Sequence, residues 1–180
     1  DVVMLCGDIT GKMLVPIVKW PDGAYTGRFL GIEEKATTEE ELKKLEEKIC
    51  NMGFYPYHTD PDGMKEMQAE AAKVTKAFRE LMLERLARWV KAAEEHYRDS
   101  GIKCIMTGGN DDILDIKDII RASDYVVDPE DRVVDIDGKH EMISLAWSNP
   151  TPWNTPRECS EEELWRKMEA PMALISGTRG

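Results

Sequence analysis

No apolar run in this chain approaches the roughly 18 residues that a membrane-spanning helix needs, and no signal-peptide pattern opens it. No Cys-x-x-Cys pair occurs. Cys6, Cys50, Cys104 and Cys159 stand far apart, which removes support for a zinc ribbon. Two of these cysteines lie inside apolar strand patterns, where a free thiol behaves as a small hydrophobe. A reducing cytoplasm is the expected compartment. The first strand is followed by neither Gly-x-Gly-x-x-Gly nor a Gly-Lys-Ser/Thr loop, which argues against a doubly wound nucleotide binder. Positive charge is scarce: 24 Lys and Arg face 35 Asp and Glu, a net charge of −11. That field repels polyanions and argues against nucleic acid or an anionic membrane as a general partner. A small phosphate substrate stays compatible where cations in a local site invert the charge. There is no internal repeat and no low-complexity tract.

What is present suits one globular domain of 180 residues, enough to bury roughly 70% of the unfolded surface. Val2 to Asp8 reads as a short, fully buried strand. Met13–Trp20 and Tyr25–Ile32 flank Pro21-Asp22-Gly23 and read as a hairpin. Thr38 and Glu41 fit a capping box, and Gly53 fits a helix stop, which predicts a helix over 38–52. Residues 54–63 read as a loop. Apolar positions from Val74 to Tyr97, spaced by three and four, predict a long helix over about 64–99. Lys103–Thr107 is a second buried strand, and Ile113–Ser123 a short helix. Strands are expected at Tyr125–Val127, Arg132–Ile136 and Glu141–Trp147, with a turn at Asp137-Gly138. The stretch "SNPTPWNTPRE", Ser148 to Glu158, is too proline-rich for regular structure. Ser160 caps a final helix with Glu163 at the box position. The predicted class is α/β with a mixed sheet, in which ligands gather at the C-terminal ends of strands.

Two strands end alike. "LCGDITGK" runs from an apolar strand into Gly7 and Asp8, and "IMTGGNDD" runs into Gly108, Gly109 and Asn110. A strand-end carboxylate can give one oxygen to each of two metal ions about 3.5–4 Å apart. An asparagine carbonyl adds a neutral ligand, which leaves the ions with residual charge for a phosphate. The glycines let the backbone turn sharply and approach the site.

These two motifs resemble the second and third motifs of the calcineurin-like metallophosphoesterase superfamily, which read Gly-Asp-x-x and Gly-Asn-His-Glu/Asp. The nearest subgroup by resemblance is the Icc-related phosphoesterases, some of which share a stretch similar to "SNPTPWNTPRE". The resemblance covers most of the chain and is strongest at Val2–Lys12, Tyr97–Val127 and Met142–Glu158. It implies a β-sandwich flanked by helices in four αββα layers. It also implies two divalent metal ions, manganese foremost, with iron, zinc or nickel compatible. It would make Asp8 the bridging carboxylate and Asn110 a ligand of the second ion. The substrate would be a small phosphate monoester or diester. The family's first motif, Asp-x-His, would fall before Asp1, and its later histidine motifs beyond Gly180, so the resemblance implies the central part of such an enzyme. Residues 13–99 would then be an insertion of one hairpin and two helices between motifs 102 positions apart.

Asp111 stands where many members of that family carry a histidine that protonates the leaving group. It is read either as that proton donor, which needs a raised pKa, or as a residue that orients Asn110 or a water. Asp112 is expected to cap the following helix. His58, His96 and His140 lack motif context and are expected in surface or turn roles. Trp153, Asn154 and Arg157 are candidates for a substrate rim, the tryptophan by stacking and the arginine by a bidentate fork on phosphate. The other reading, which burial statistics favour, is packing, with Trp153 over a core edge and Arg157 paired with a surface Glu. A non-catalytic relative of the same fold that binds a ligand or partner is the alternative function.

Overall fold

Strand and helix patterns resolve into a mixed α/β chain with three sheets and five helices among residues 1–175, which the computed structural model describes. The chain forms two compact units: Thr10–Met82, and Asp1–Ile9 together with the chain from Leu83 onward. No helix among the described residues is long and apolar enough to cross a membrane. The four cysteines are free thiols, and burial pushes that of Cys104 up.

The Thr10–Met82 unit is built on a four-stranded mixed sheet. β2 (Leu14–Lys19), β3 (Tyr25–Phe29), β4 (Ile32–Ala36) and β5 (Tyr55–Thr59) lie in the order β4-β3-β2-β5. The β2–β3 hairpin follows the sequence reading. β4 and β5 do not: residues 54–63 were expected as a loop, yet β5 runs parallel to β2, with Leu14 opposite Tyr55. Such long-range pairing leaves no local signature. β4 carries Glu33, Glu34 and Lys35, a charged sequence of the kind tolerated on a sheet edge. Pro16 sits inside β2, but the β2–β3 ladder begins only at Ile17, so the missing N–H breaks no bond to β3.

α1 (Glu39–Asn51) starts as predicted: Thr38 Oγ1 accepts from Glu41 N at 3.2 Å. The Glu41 carboxylate in turn accepts from Thr37 N and Thr37 Oγ1, which holds its pKa below the usual range. Leu42, Leu45 and Ile49 recur on one face and close over Val15, Ile17, Tyr25 and Phe29 as the core. The predicted 64–99 helix is two helices. α2 (Pro61–Ala69) starts three residues earlier than expected, because Asp60 accepts from Asp62 N and Gly63 N and Pro61 takes the first position. α3 (Ala71–Tyr97) follows Glu70, whose φ −128° and ψ 88° break the helix. No Pro or Gly marks that break, so apolar periodicity reads straight through it.

In the other unit, β1 (Val2–Cys6) pairs in parallel with β6 (Lys103–Thr107), from Val2 opposite Lys103 to Cys6 opposite Thr107. β6 is buried, and it is also bridged on its far side at Val127. Among the described residues, β1 has β6 as its one partner strand. Its expected full burial is therefore corrected: Met4 is 43% and Leu5 38% exposed. Leu86 and Val90 of α3 pack with Cys104, Met106, Val126 and with Ile116 and Ile120 of α4 (Ile116–Arg121). The later strands shrink to β7 (Val134–Asp135) and β8 (Glu141–Met142) around the predicted Asp137-Gly138 turn. α5 (Glu161–Met172) is capped by Ser160 as read, through Glu163 N.

Gly11 fixes the entry to the Thr10–Met82 unit. Its N–H donates to Tyr55 Oη at 2.8 Å, and a Cβ there would lie 2.0 Å from Gly53 O and 2.6 Å from Tyr55 Cε2. Backbone cannot yield to such a clash as a flexible side chain would. Gly11→Ala is expected to destabilise this unit by about 1–3 kcal/mol, read as a lowered urea midpoint in circular dichroism.

Candidate functional site

β1 and β6 run side by side and end at the same level. Gly7 N donates to Thr107 O at 3.1 Å, and beyond that bond the chains reach Asp8 and Gly109. Gly7 has φ +85° and Asp8 φ +47°, a left-handed turn that glycine enters freely and aspartate at modest cost. A Cβ at Gly109 would stand 2.5 Å from both Asp8 N and Asp8 Oδ1. Glycine at 109 therefore lets the Asp8 side chain lie against the second strand end. The two motifs meet, with Asp8 exposed and Asn110 and Asp111 half-buried.

What joins the two ends is Asp112. It is fully buried, and its Oδ2 accepts from Ile9 N at 3.0 Å and from Gly109 N at 2.7 Å. The expected helix cap is corrected accordingly. α4 begins only at Ile116, its N-cap is Asp115, and no side chain caps it. The carboxylate is instead spent on the amides that leave β1 and β6.

Asn110 is held from the 148–158 loop. Its backbone oxygen accepts from Arg157 N at 3.0 Å, and its Nδ2 donates to Thr155 Oγ1 at 3.0 Å. Ser148 N donates to Arg157 O at 3.0 Å and Cys159 N to Ser148 O at 3.1 Å, which closes the neck of the loop. Its interior is organised by Glu158. One carboxylate oxygen accepts from Thr155 N at 2.9 Å and Thr155 Oγ1 at 2.7 Å, and the carboxylate also accepts from Thr151 Oγ1 and Thr151 N. The Thr151 hydroxyl and the amides beside it hold the Glu158 pKa down to about 2. Sequence reading missed both residues. The Thr155-x-x-Glu158 spacing was a usable signal, because it matches half of a capping box, the carboxylate reaching back to the Thr N–H.

Arg157 is the clearest correction. It is 1% exposed and offers nothing to a substrate rim. Its Nη1 pairs with Glu130 at 3.0 Å, its Nε donates to Asp112 O at 3.0 Å, and its Nη2 donates to Ile113 O at 3.2 Å. The pairing partner is not the surface Glu that the packing reading assumed. Glu130 is 2% exposed and also takes Lys117 Nζ at 3.2 Å and Trp147 Nε1 at 3.1 Å. A buried guanidinium with an acceptor at each of its three nitrogens is a clamp on the Asn110–Ile113 loop. Trp153, by contrast, is 79% exposed and covers no core edge, and Asn154 beside it is exposed with φ +50°. His58, His96 and His140 lie in other surroundings: Glu46, Tyr97 and Asp137 are their respective neighbours.

Comparison with family models, curated proteins and solved structures yields no match. The chemistry therefore follows from the residues. Asp8 and Asn110 offer a carboxylate and a neutral amide oxygen at the C-terminal end of the β1–β6 pair. Among the described residues, no group of three or more His, Cys, Asp and Glu side chains could hold a metal ion.

Arg157→Met leaves the Glu130 carboxylate short of its main partner and should cost about 3–5 kcal/mol in urea unfolding. Replacing both residues, Arg157→Met with Glu130→Leu, should recover part of that loss. Glu158 has a folded pKa of about 2, below its unfolded value near 4.5. It therefore stabilises the loop fully above the unfolded value, and that contribution fades as pH falls from about 4.5 toward 2. The Thr151 and Thr155 amide resonances should titrate with a midpoint near 2, and a midpoint near 4.5 would show the loop unclamped.

Proposed function

We propose that this chain carries part of the metal site of a metal-dependent phosphoesterase that hydrolyses phosphate monoesters or diesters. The observation that supports this most is the meeting of Asp8 and Asn110 at the C-terminal ends of two adjacent parallel strands, where α/β sheets bind their ligands. Asp8 is exposed at the end of its strand, and its two oxygens suit it to bridge two ions. Asn110 would add a neutral oxygen to the second. Divalent ions, manganese foremost, would supply positive charge for the phosphate and a bound water of lowered pKa. The four-layer αββα arrangement belongs to the same proposal.

Charge supports the reading. Arg157 is the one cation of the 148–158 loop, and Glu130 neutralises it in the interior. An anionic ester at the strand ends needs positive charge from another source, in a chain of net charge −11. Asp111, next to Asn110, is the candidate proton donor to the leaving oxygen, a role that needs a carboxyl still protonated near neutral pH. Trp153 and Asn154 belong to a loop that bonds Asn110 through Thr155, which suits them to the rim of a substrate site there.

Calorimetry with Mn²⁺ tests the assignment. The chain should bind the ion, and Asp8→Asn should weaken binding by about tenfold or more. Mn²⁺-dependent hydrolysis of p-nitrophenyl phosphate esters by this chain should be slow, because Asp8 and Asn110 supply only part of the about seven or eight contacts two ions require. Fast turnover would refute that incompleteness. Binding without any turnover would assign the chain to the ligand-binding alternative, and no Mn²⁺ binding at all would sink the metal site.

A further inference from the structure

We propose that Thr155 and Glu158 are positioning residues that set which end of the Asn110 amide faces a ligand. The proposal rests on the reading of Asn110 as a metal ligand. The Glu158 carboxylate accepts four bonds from Thr151 and Thr155, two from amides and two from hydroxyls. A carboxylate engaged in this way is acceptor-only, so the single hydroxyl proton of Thr155 goes to Glu158 at 2.7 Å. Thr155 Oγ1 then has only lone pairs left for Asn110, 3.0 Å away. An amide facing a pure acceptor must turn its nitrogen to it. The carbonyl Oδ1 becomes the end directed away from Thr155, and an oxygen is what a hard divalent ion takes. A flipped amide would put oxygen against oxygen at Thr155 and offer the ion an NH₂ group. Glu158 thus acts through Thr155 on an amide 48 positions earlier in the chain, in the way outer groups fix the orientation of metal-binding side chains.

Two measurements on the full chain separate this inference from the metal reading. By NMR, without metal, the Asn110 Hδ2 protons should show contacts to the Thr155 side chain. Their exchange should quicken by about tenfold in Thr155→Val and stay within about twofold in Thr155→Ser, which keeps the acceptor. By calorimetry, Thr155→Val should weaken Mn²⁺ binding by about 10- to 100-fold, with Thr155→Ser near wild type. Absence of the Hδ2 contacts in the wild-type chain overturns the positioning role and needs no variant to fold. Unchanged Mn²⁺ affinity in a folded Thr155→Val also overturns it, provided Asn110→Ala weakens binding. An intact NMR signature with no Mn²⁺ binding overturns the metal reading instead.

Discussion

The carboxylate of Asp112 holds two strand exits that the chain separates by about a hundred residues. Its Oδ2 accepts from Ile9 N, just past β1, and from Gly109 N, just past β6. Both amides lie beyond the ladder, where the parallel bonds run out, and buried amides without acceptors are costly. One oxygen satisfies both. The positions of Asp8 and Asn110 follow, since each is next to an amide that Asp112 holds. Gly109 completes the arrangement, because any side chain there would occupy the volume of the Asp8 carboxylate.

A second layer keeps the Asn110–Ile113 loop from moving as a body. The Arg157 guanidinium donates to the carbonyls of Asp112 and Ile113, and its backbone N donates to that of Asn110. Its charge is met by Glu130, which α4 also reaches through Lys117. Arginine suits this place because its planar fork addresses several acceptors at once. The fork ties the proline-rich loop to the motif loop more firmly than apolar contact would, since leaving any of these groups unpaired in the interior is expensive. The loop that carries Trp153 outside is thus anchored by Arg157 inside, four residues further on.

Much of the architecture was legible where the signal is local. The Thr38 and Ser160 caps, the hairpin around Pro21-Asp22-Gly23 and the apolar face of α3 rest on residues a few positions apart. The matched strand endings at Asp8 and Asn110 were legible too, because glycine followed by an oxygen side chain is a pattern within one motif. What was misread was decided at a distance. β5 exists because β2 lies beside it, β1 is half-exposed because β6 alone among the described strands pairs with it, and the break at Glu70 carries no breaker residue.

The roles of Arg157, Asp112 and Glu158 show the same division. Composition and spacing place an arginine and two carboxylates in polar, turn-rich stretches, where solvent-facing roles are the ordinary expectation. For Arg157 and Asp112 burial reverses it, and for Glu158 the bonds to Thr151 and Thr155 do; both are properties of the folded neighbourhood. Asp112 faces two amides because parallel pairing brings β1 and β6 level, and Arg157 faces Glu130 because the 148–158 loop closes back on the motif loop. By itself the sequence determined which oxygens stand at the two strand ends, since side-chain type and the preceding glycines are local facts. Only the tertiary structure decided that those ends meet and which buried groups hold them, because hydrogen bonds between residues 45 and 103 positions apart exist only once the chain has folded.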